Sequence, residues 1–237
     1  MDSVYPFLGA VVLFLLIWQL ARLYRACKKA NLVDWGHGWV NLIDGLNRLF
    51  CYRYHRLNVT RLRLPTSGPC IVASNHVSGV DAMMLIASAR RPLRFLIARE
   101  EYERFGFTWL FKAAGCIPVD RQSKPEQALR AALRALKDGE VIALFPHGKI
   151  HLDSDPPRKI KKGVTRLSHL TGAPVIPARI TGIRGEGYVI RGVIMRSRAQ
   201  IEAYPALSPE RLDDDQLTER LQQILDGKVP LESALAG

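Results

Sequence analysis

Short apolar runs alternate with amphipathic stretches along the middle of the chain. The apolar runs are bounded by Gly, Pro and Ser, and they predict buried strands at residues 70–73, 93–98, 116–121, 141–145 and 174–181. Apolar positions at helical spacing predict helices at residues 81–89, about 101–114, 125–137 and 163–170. Alternating strands and helices are typical of an α/β fold, with a mainly parallel central sheet flanked by helices.

The C-terminal part of the chain adds two elements to this pattern. Residues 199–204 predict an edge strand. Ser208 and Pro209 predict the start of a final amphipathic helix that ends near Leu225, because both residue types are favoured at helix N-termini.

The N-terminal segment is apolar and carries no charged residue between positions 3 and 21. It predicts a membrane-associated helix, which either spans the bilayer or enters one leaflet. Four basic residues follow at once, so the positive-inside rule predicts that the main domain lies on the cytoplasmic face of the inner or plasma membrane; they are Arg22, Arg25, Lys28 and Lys29. A cleaved signal peptide is the alternative, but there the basic cluster would precede the apolar run.

Residues 31–54 place Trp, Leu and Ile at helical spacing among polar residues. An amphipathic helix with one apolar stripe either lies in the membrane interface or packs on the core of the domain, and the pattern fits both. We therefore expect membrane-anchoring helices in residues 1–54 and an α/β domain in residues 55–237.

The chain of 237 residues carries 34 Lys and Arg against 22 Asp and Glu, a net charge of +12. A basic surface suits anionic lipids, nucleic acids or acidic proteins, and charge alone does not choose among them. The four cysteines have no Cys-x-x-Cys spacing, which favours reduced thiols in a cytosolic compartment.

The first predicted strand leads directly to a histidine and an aspartate. His76 follows the strand, at the sheet edge where open α/β sheets bind ligands. A turn through Ser78 and Gly79 would fold Asp81 back toward the imidazole. A carboxylate that holds one ring nitrogen leaves the other free to accept a proton, so the pair predicts general base catalysis. The chain has no Gly-x-Ser-x-Gly motif, and we expect the substrate to supply the reacting hydroxyl.

Three motifs at predicted strand ends resemble those of the lysophosphatidate (1-acylglycerol-3-phosphate) acyltransferase family. The chain has the complete Asn-His-x-Ser-x-x-Asp block at residues 75–81, Gly-x-x-x-x-x-Arg at residues 115–121, and Phe-Pro-His-Gly at residues 145–148. A proline-bearing apolar strand at residues 175–177 also fits. The third motif departs from the family pattern, because His147 replaces a glutamate and Lys149-Ile150 replaces Thr-Arg.

The resemblance implies a membrane-bound enzyme that moves a fatty acyl group from acyl-CoA or acyl carrier protein to the free hydroxyl of a lysophospholipid. Conversion of lysophosphatidate to phosphatidate is the expected reaction, in one displacement. His76 would be the general base and Asp81 would orient it. The resemblance implies neither a cofactor nor a metal, and its expected partners are membrane lipids and not nucleic acid.

The motifs also give candidate substrate-binding residues. Arg121 is the candidate for the acceptor phosphate, since a guanidinium offers two parallel hydrogen bonds; an internal ion pair with a carboxylate such as Asp120 is the alternative. Lys149, Lys161 or Lys162 would replace the missing motif arginine, or would belong to a solvated basic loop. We also assign four motif residues to substrate binding: Asn75, Ser78, His147 and Gly148. The altered third motif leaves a different lysolipid acceptor open.

Two other function classes remain open at this point. A metal-dependent hydrolase would use imidazole and carboxylate ligands drawn from His76, Asp81, His147, His151 and Asp153. A non-catalytic lipid-surface protein would use the same basic face, but it would give the histidine and aspartate at the strand end no role.

Overall fold

The structure is a computed structural model that describes residues 4–60, 62–104, 106–120 and 125–231. Its centre is a seven-stranded sheet in the order β1-β7-β6-β2-β5-β3-β4. The strands are β1 Asn58–Val59, β2 Cys70–Ser74, β3 Leu93–Ala98, β4 Ile117–Val119, β5 Val141–Leu144, β6 Val175–Thr181 and β7 Gln200–Ala203. Every neighbouring pair is parallel except β6 and β7, which are antiparallel. The predicted α/β class with a mainly parallel sheet is confirmed.

Helices cover both faces of this sheet. They are α1 Val4–Ala30, α2 Gly38–Leu49, α3 Asp81–Ser88, α4 Arg99–Tyr102, α5 Thr108–Ala113, α6 Pro125–Lys137, α7 Gly163–Thr171, α8 Val189–Ile194 and α9 Asp214–Leu225. Side chains of β2 alternate between two cores: Cys70 and Val72 pack with α3 on one face, and Ile71 and Ala73 pack with α6, α7 and α9 on the other. Strand β2 is the central strand of the seven, and all five of its residues are buried.

Several predicted elements differ from the observed ones. The single helix expected at residues 101–114 is two short helices, α4 and α5, with Gly106 between them at a φ of 89°. The last helix begins at Asp214, because Asp213 forms a capping box with Gln216 that Ser208 does not provide. The strand predicted at an edge, β7, lies between β6 and the two-residue strand β1.

The N-terminal helix α1 extends beyond the uncharged run of residues 3–21. By length and composition, its part Phe7–Ala30 could cross a membrane. The apolar side chains from Phe7 to Tyr24 are exposed, whereas Cys27, near the end of the helix, is buried. The second segment is only partly helical: α2 spans Gly38–Leu49 and continues as a π-helical turn at Phe50–Tyr54, whereas residues 31–37 are not helical.

Helix α2 packs against α1 on one side and against α3 on another. Buried Arg48 bonds to Asp44 at 2.6 Å and donates to the carbonyls of Ala87 (2.7 Å) and Ala89 (2.8 Å) at the end of α3. A cation there satisfies carbonyls that the helix leaves without partners. Trp39, in contrast, is exposed. The helix therefore has both a packed face and an exposed apolar side, and the division of the chain at residue 54 stays a prediction.

The crossing of α1 and α2 depends on a glycine, and this gives the first prediction. A methyl group at Gly45 would lie 1.9 Å from the carbonyl oxygen of Cys27, whereas a methyl at Gly38 would meet nothing within 4 Å. Gly45→Ala should force the two helices apart and lower the free energy of unfolding by about 1–3 kcal/mol, as overpacking does. Thermal unfolding in detergent measures the change, with Gly38→Ala as the matched control. Equal melting temperatures for the two variants would contradict this packing.

Candidate active site

The side chain of Asn75 fixes the end of β2 by forming two hydrogen bonds with the backbone of the neighbouring strand β6. Buried Asn75 donates from Nδ2 to the carbonyl of Ile180 (2.9 Å) and accepts the Ile180 N–H at Oδ1 (2.7 Å). These bonds extend the β2–β6 pairing by one residue beyond Ser74. A buried amide with both ends paired is costly to replace. The structure therefore places Asn75 where it sets the position of the next residue, His76.

The loop after His76 wraps around one carboxylate. Asp81 is fully buried at the start of α3. Its Oδ2 accepts from the backbone N–H groups of Val77 (2.6 Å) and Ser78 (2.8 Å), and its Oδ1 accepts from the Ser78 hydroxyl (2.6 Å). A buried charge is tolerated when hydrogen bonds replace its hydration. The carboxylate is thus held in place before any substrate arrives, and Ser78 takes part in holding it.

The imidazole of His76 completes this arrangement. Its Nδ1 lies 2.8 Å from Asp81 Oδ2, and its ring stacks on Phe145 at a centroid distance of 4.2 Å and an angle of 13°. A carboxylate accepts only, so the neutral ring carries its proton on Nδ1. The side chain is 22% exposed, and in the part of the chain that the structure describes nothing hydrogen-bonds to Nε2. Nε2 is therefore available as a proton acceptor.

The third motif lies beside this pair, because β5 is the parallel neighbour of β2. Gly148 turns the chain at a φ of 76°, and a methyl there would come within 3.0 Å of the Lys161 Nζ. Lys161 thus extends across the turn, and Lys149 is exposed on it. Lys162 points elsewhere, to Asp215 at 2.8 Å. The structure brings Gly148, Lys149 and Lys161 together and separates Lys162 from them.

His147 lies under the turn instead of on its surface. Its side chain is 2% exposed, its Nε2 is 3.5 Å from Asp226 Oδ1, and its ring centre is 4.7 Å from that of His151. The 3.5 Å contact between His147 Nε2 and Asp226 Oδ1 lacks hydrogen-bond geometry. Burial and the neighbouring His151 lower the pKa of His147, and Asp226 opposes them. At 2% exposure the ring offers almost no surface to a ligand, and the substrate-binding role of His147 stays a prediction.

The second motif lies further along the sheet. Strand β4 is the third strand from β2, a separation of roughly 14 Å at the usual spacing of strands. Arg121, the candidate for the acceptor phosphate, lies outside the described residues. Asp120, just before it, is 3.6 Å from Arg99 Nε.

Other possible sites do not coincide with the His76–Asp81 pair. Two clefts, each of about 430 Å³, lie near the amino ends of β3 and β5, and residues such as Arg94 and Lys112 line both. Within residues 4–60, 62–104, 106–120 and 125–231, no three His, Cys, Asp or Glu side chains lie close enough together to hold a metal ion. The described geometry therefore offers no ligand set for the metal-dependent hydrolase.

Comparison with known proteins agrees with the motifs and the geometry. The sequence model of the family described as "Acyltransferase" matches residues 56–181, which is more than half of the chain. The chain belongs to the Acyltransferase family. The matched region contains the His76–Asp81 pair, the second motif and the third motif.

Individual similar proteins align with about half of the chain. The chain is 30% identical over 131 residues to N-acylphosphatidylethanolamine synthase of Arabidopsis thaliana, covering 51% of this chain and 45% of the relative. It is 24% identical over 120 residues to 1-acyl-sn-glycerol-3-phosphate acyltransferase of Bacillus subtilis, covering 50% and 59%. The chain thus spans about half the length of these relatives.

The fold is shared with a solved acyltransferase structure. The crystal structure of the 1-acyl-sn-glycerophosphate (LPA) acyltransferase PlsC from Thermotoga maritima superposes with a TM-score of 0.65. The two chains are 19% identical, and the match covers 84% of this chain and 82% of that one. At this identity the likeness establishes the fold alone.

Sequence reasoning missed three contacts that shape the site. The stacking of Phe145 on His76 joins two motifs, and its only signal was an aromatic residue at the start of the third motif. The pairing of Asn75 with Ile180 required knowledge of the strand order. Helix α8, which lies against the loop at Gly79, was not predicted at all.

The buried His147 gives a prediction about pH and stability. Because the pKa of His147 is lowered in the folded state, the unfolded chain binds a proton more readily and protonation favours unfolding. The contribution of His147 to the free energy of unfolding is therefore fully present above the pKa of histidine in an unfolded chain, about 6.5, and is lost as the pH falls below it. His147→Gln should make the melting temperature depend less on pH between about 7.5 and 5.5. His169→Gln, which changes an exposed histidine, should leave the slope unchanged. An unaltered slope in His147→Gln would show that other groups control the acid response.

Proposed function

We propose that this protein transfers a fatty acyl group from acyl-CoA or acyl carrier protein to the free hydroxyl of a lysophospholipid. Lysophosphatidate is the proposed acceptor and phosphatidate the product. The observation that carries the proposal is the His76–Asp81 pair at the end of β2, with Nδ1 held at 2.8 Å and Nε2 open. Membership of the Acyltransferase family and the name of the Bacillus subtilis relative support the same reaction class.

The proposed mechanism is a single displacement. Nε2 of His76 takes the proton of the acceptor hydroxyl as the oxygen attacks the thioester carbonyl carbon. The tetrahedral intermediate collapses, the C–S bond breaks, and the leaving thiolate recovers the proton from the imidazolium. Asp81 holds the ring in its Nδ1-protonated form and stabilises the transient cation. The enzyme itself forms no covalent bond to the acyl group, because the nucleophile is the hydroxyl of the substrate.

A site of basic residues that binds the acceptor phosphate, here called the phosphate grip, is part of the proposal. Lys161 crosses the turn at Gly148, which follows β5, the neighbour of the strand that leads to His76, and Lys149 is exposed on the same turn. Two ammonium groups offer hydrogen bonds to phosphate oxygens as point charges. Arg121, the candidate from the second motif, stays a prediction from the sequence. We assign His147 an indirect role, in which the buried ring supports the turn from below.

Membrane association through α1 is proposed on the basis of its composition and exposure. A helix of this length with exposed apolar side chains is stable in a bilayer and costly in water. The basic residues after it favour the cytoplasmic side of the inner or plasma membrane for the α/β domain. An acceptor and a product that are lipids would then stay in the same membrane as the enzyme.

A second acceptor class follows from one comparison. The Arabidopsis thaliana relative is named for making N-acylphosphatidylethanolamine, and the third motif of this chain departs from the family pattern at His147. The same histidine base would serve an attacking amine. A panel of lysophospholipids and phosphatidylethanolamine, with product masses measured, separates the two candidates. Mainly N-acylated product would overturn the lysophosphatidate assignment.

The central catalytic prediction concerns the base. His76→Ala should lower turnover by about 10²–10⁴ without loss of folding, because general base catalysis contributes that much and the side chain is partly exposed. Asp81→Asn should lose much of the rate as well. The assay uses purified full-length protein in detergent, acyl-CoA or acyl carrier protein, and lysophosphatidate. His169→Ala is the matched control. Near-normal turnover by a folded His76→Ala protein would refute the assignment of His76 as the base. In a separate test, loss of activity of the native protein after treatment with a metal chelator would favour the metal-dependent hydrolase.

Neighbouring lysines allow a paired test of the phosphate grip. Lys161→Ala should raise the acceptor KM and lower kcat/KM roughly 10- to 150-fold, the equivalent of one charge-assisted hydrogen bond of about 1.5–3 kcal/mol. The donor KM should hardly change. Lys162→Ala removes the same charge one residue away, where it is paired with Asp215, and should have little effect. Equal losses in both variants would point to general attraction of the anion instead of a specific contact.

A further inference from the structure

Helix α8 lies directly against the loop that holds the catalytic aspartate. A methyl group at Gly79 would come within 2.5 Å of the Val189 carbonyl oxygen, and one at Gly192 would come within 2.8 Å of the Ser78 Cβ. The Gly187 N–H also donates to the Val77 carbonyl at 2.9 Å. Because only glycines permit so close an approach, the backbone of α8 and the catalytic loop form one packed unit.

The outer side of α8 is apolar and exposed. Val193 packs on the core, whereas Tyr188, Val189, Ile190 and Ile194 are 55%, 48%, 63% and 64% exposed. Single exposed apolar residues are ordinary, but four large ones within seven positions form a patch of the kind that marks a binding surface. We call this patch, formed by Tyr188, Val189, Ile190 and Ile194, the α8 patch.

The α8 patch continues into the helices at the N-terminus. The hydroxyl of Tyr54 donates to the carbonyl of Ile194. Tyr54 ends the π-helical turn that extends α2, and α2 packs on α1. Tyr52 on the same turn is also exposed. The exposed apolar side chains of α1 and the α8 patch are therefore linked through a continuous piece of structure.

The charges around the α8 patch fit an anionic lipid surface. Residues 182–198 contain Arg184, Arg191, Arg196 and Arg198 but only one acid, Glu186. The Arg191 guanidinium stacks on the Tyr188 ring at 4.3 Å. Aromatic, aliphatic and basic residues together are typical of segments at membrane interfaces, where the arginines contact headgroups. A second copy of this chain is a poorer fit, because its charge of +12 repels the same arginines.

We propose that the α8 patch is a second membrane contact, which inserts Ile190 and Ile194 at the level of the headgroups and upper acyl chains. Through its contact with the loop at Gly79, α8 then holds the His76–Asp81 pair at the bilayer surface. A lysophospholipid would reach the base from the membrane without leaving it. This inference rests on the proposed acyltransferase function and on the proposed membrane association of α1.

Depth-dependent fluorescence quenching tests the contact itself. Full-length protein carries an environment-sensitive fluorophore at Ile190→Cys, with vesicles of phosphatidylcholine and phosphatidylglycerol in a 3:1 ratio containing brominated lipid. The native protein, treated with the same fluorophore, gives the background, since Cys116 is partly exposed whereas Cys27, Cys51 and Cys70 are buried. Leu170→Cys is the matched control: Leu170 is 56% exposed, but it lies on α7, on the opposite face of the sheet. We expect quenching at position 190 and none at position 170.

A third label in α1 separates the two membrane proposals. Quenching at Leu13→Cys without quenching at Ile190→Cys would overturn the α8 contact and leave the α1 anchor in place. No quenching at either position would overturn both. A third outcome also overturns the proposal. The fluorophore at position 190 would be shielded from water but not quenched by bromine, and the mass of the protein would rise with its concentration. That result would mean that a second copy of the chain covers the α8 patch.

Activity measurements test the functional part. The double variant Ile190→Glu/Ile194→Glu should lower the rate on vesicle-borne lysophosphatidate by about ten-fold or more, since two apolar side chains no longer enter the lipid. Its rate on a short-chain, monomeric lysophosphatidate should stay close to that of the native protein. Leu170→Glu should change neither rate. Equal losses on both acceptors would mean that α8 only supports the catalytic loop and would overturn the inference, whereas an inactive native protein would overturn the proposed function.

Discussion

One buried carboxylate governs the geometry of the site. Asp81 has no exposed surface and accepts hydrogen bonds from two backbone N–H groups, one hydroxyl and one imidazole. An ionised group in that position is stable only when every bond is present, so the loop has a single acceptable shape. This shape places His76 and determines which residues fit around it. The glycines at positions 79 and 192 follow from the same constraint, because the loop must meet α8 backbone to backbone.

The parallel sheet turns this local constraint into a site. Strands β6, β2 and β5 are neighbours, and each brings one feature to the same edge. Strand β6 supplies the Ile180 backbone that fixes Asn75, β2 supplies His76, and β5 supplies Phe145, whose ring supports the imidazole. Since the carboxyl ends of parallel strands meet at one edge, residues far apart in sequence come together there. The phosphate grip and the lipid surface that we propose lie at this edge or beside it.

The sequence predicted the fold class, the central strand and the helix Pro125–Lys137, because their apolar patterns are long and bounded by clear turn residues. It predicted the pairing of His76 with Asp81 because the spacing is local. Contacts that depend on strand order, such as Asn75 with Ile180, have no local signal. Helix α8 was missed because it is only six residues long and three of its apolar residues, Val189, Ile190 and Ile194, are exposed, so that no burial pattern marks the segment as a helix. The sequence shows that the third motif is altered, but it does not show that His147 in that motif is buried.

The tautomer of His76 tests the central claim most directly. If Asp81 holds the base, the neutral imidazole carries its proton on Nδ1 and leaves Nε2 with a free electron pair. Nitrogen-15 NMR of the histidine side chains at alkaline pH distinguishes the two tautomers, and His76 is assigned by the absence of its signals in His76→Gln. The account predicts the Nδ1-protonated form in the native protein. A His76 ring protonated mainly on Nε2 would contradict it, because such a ring has no free electron pair facing the substrate.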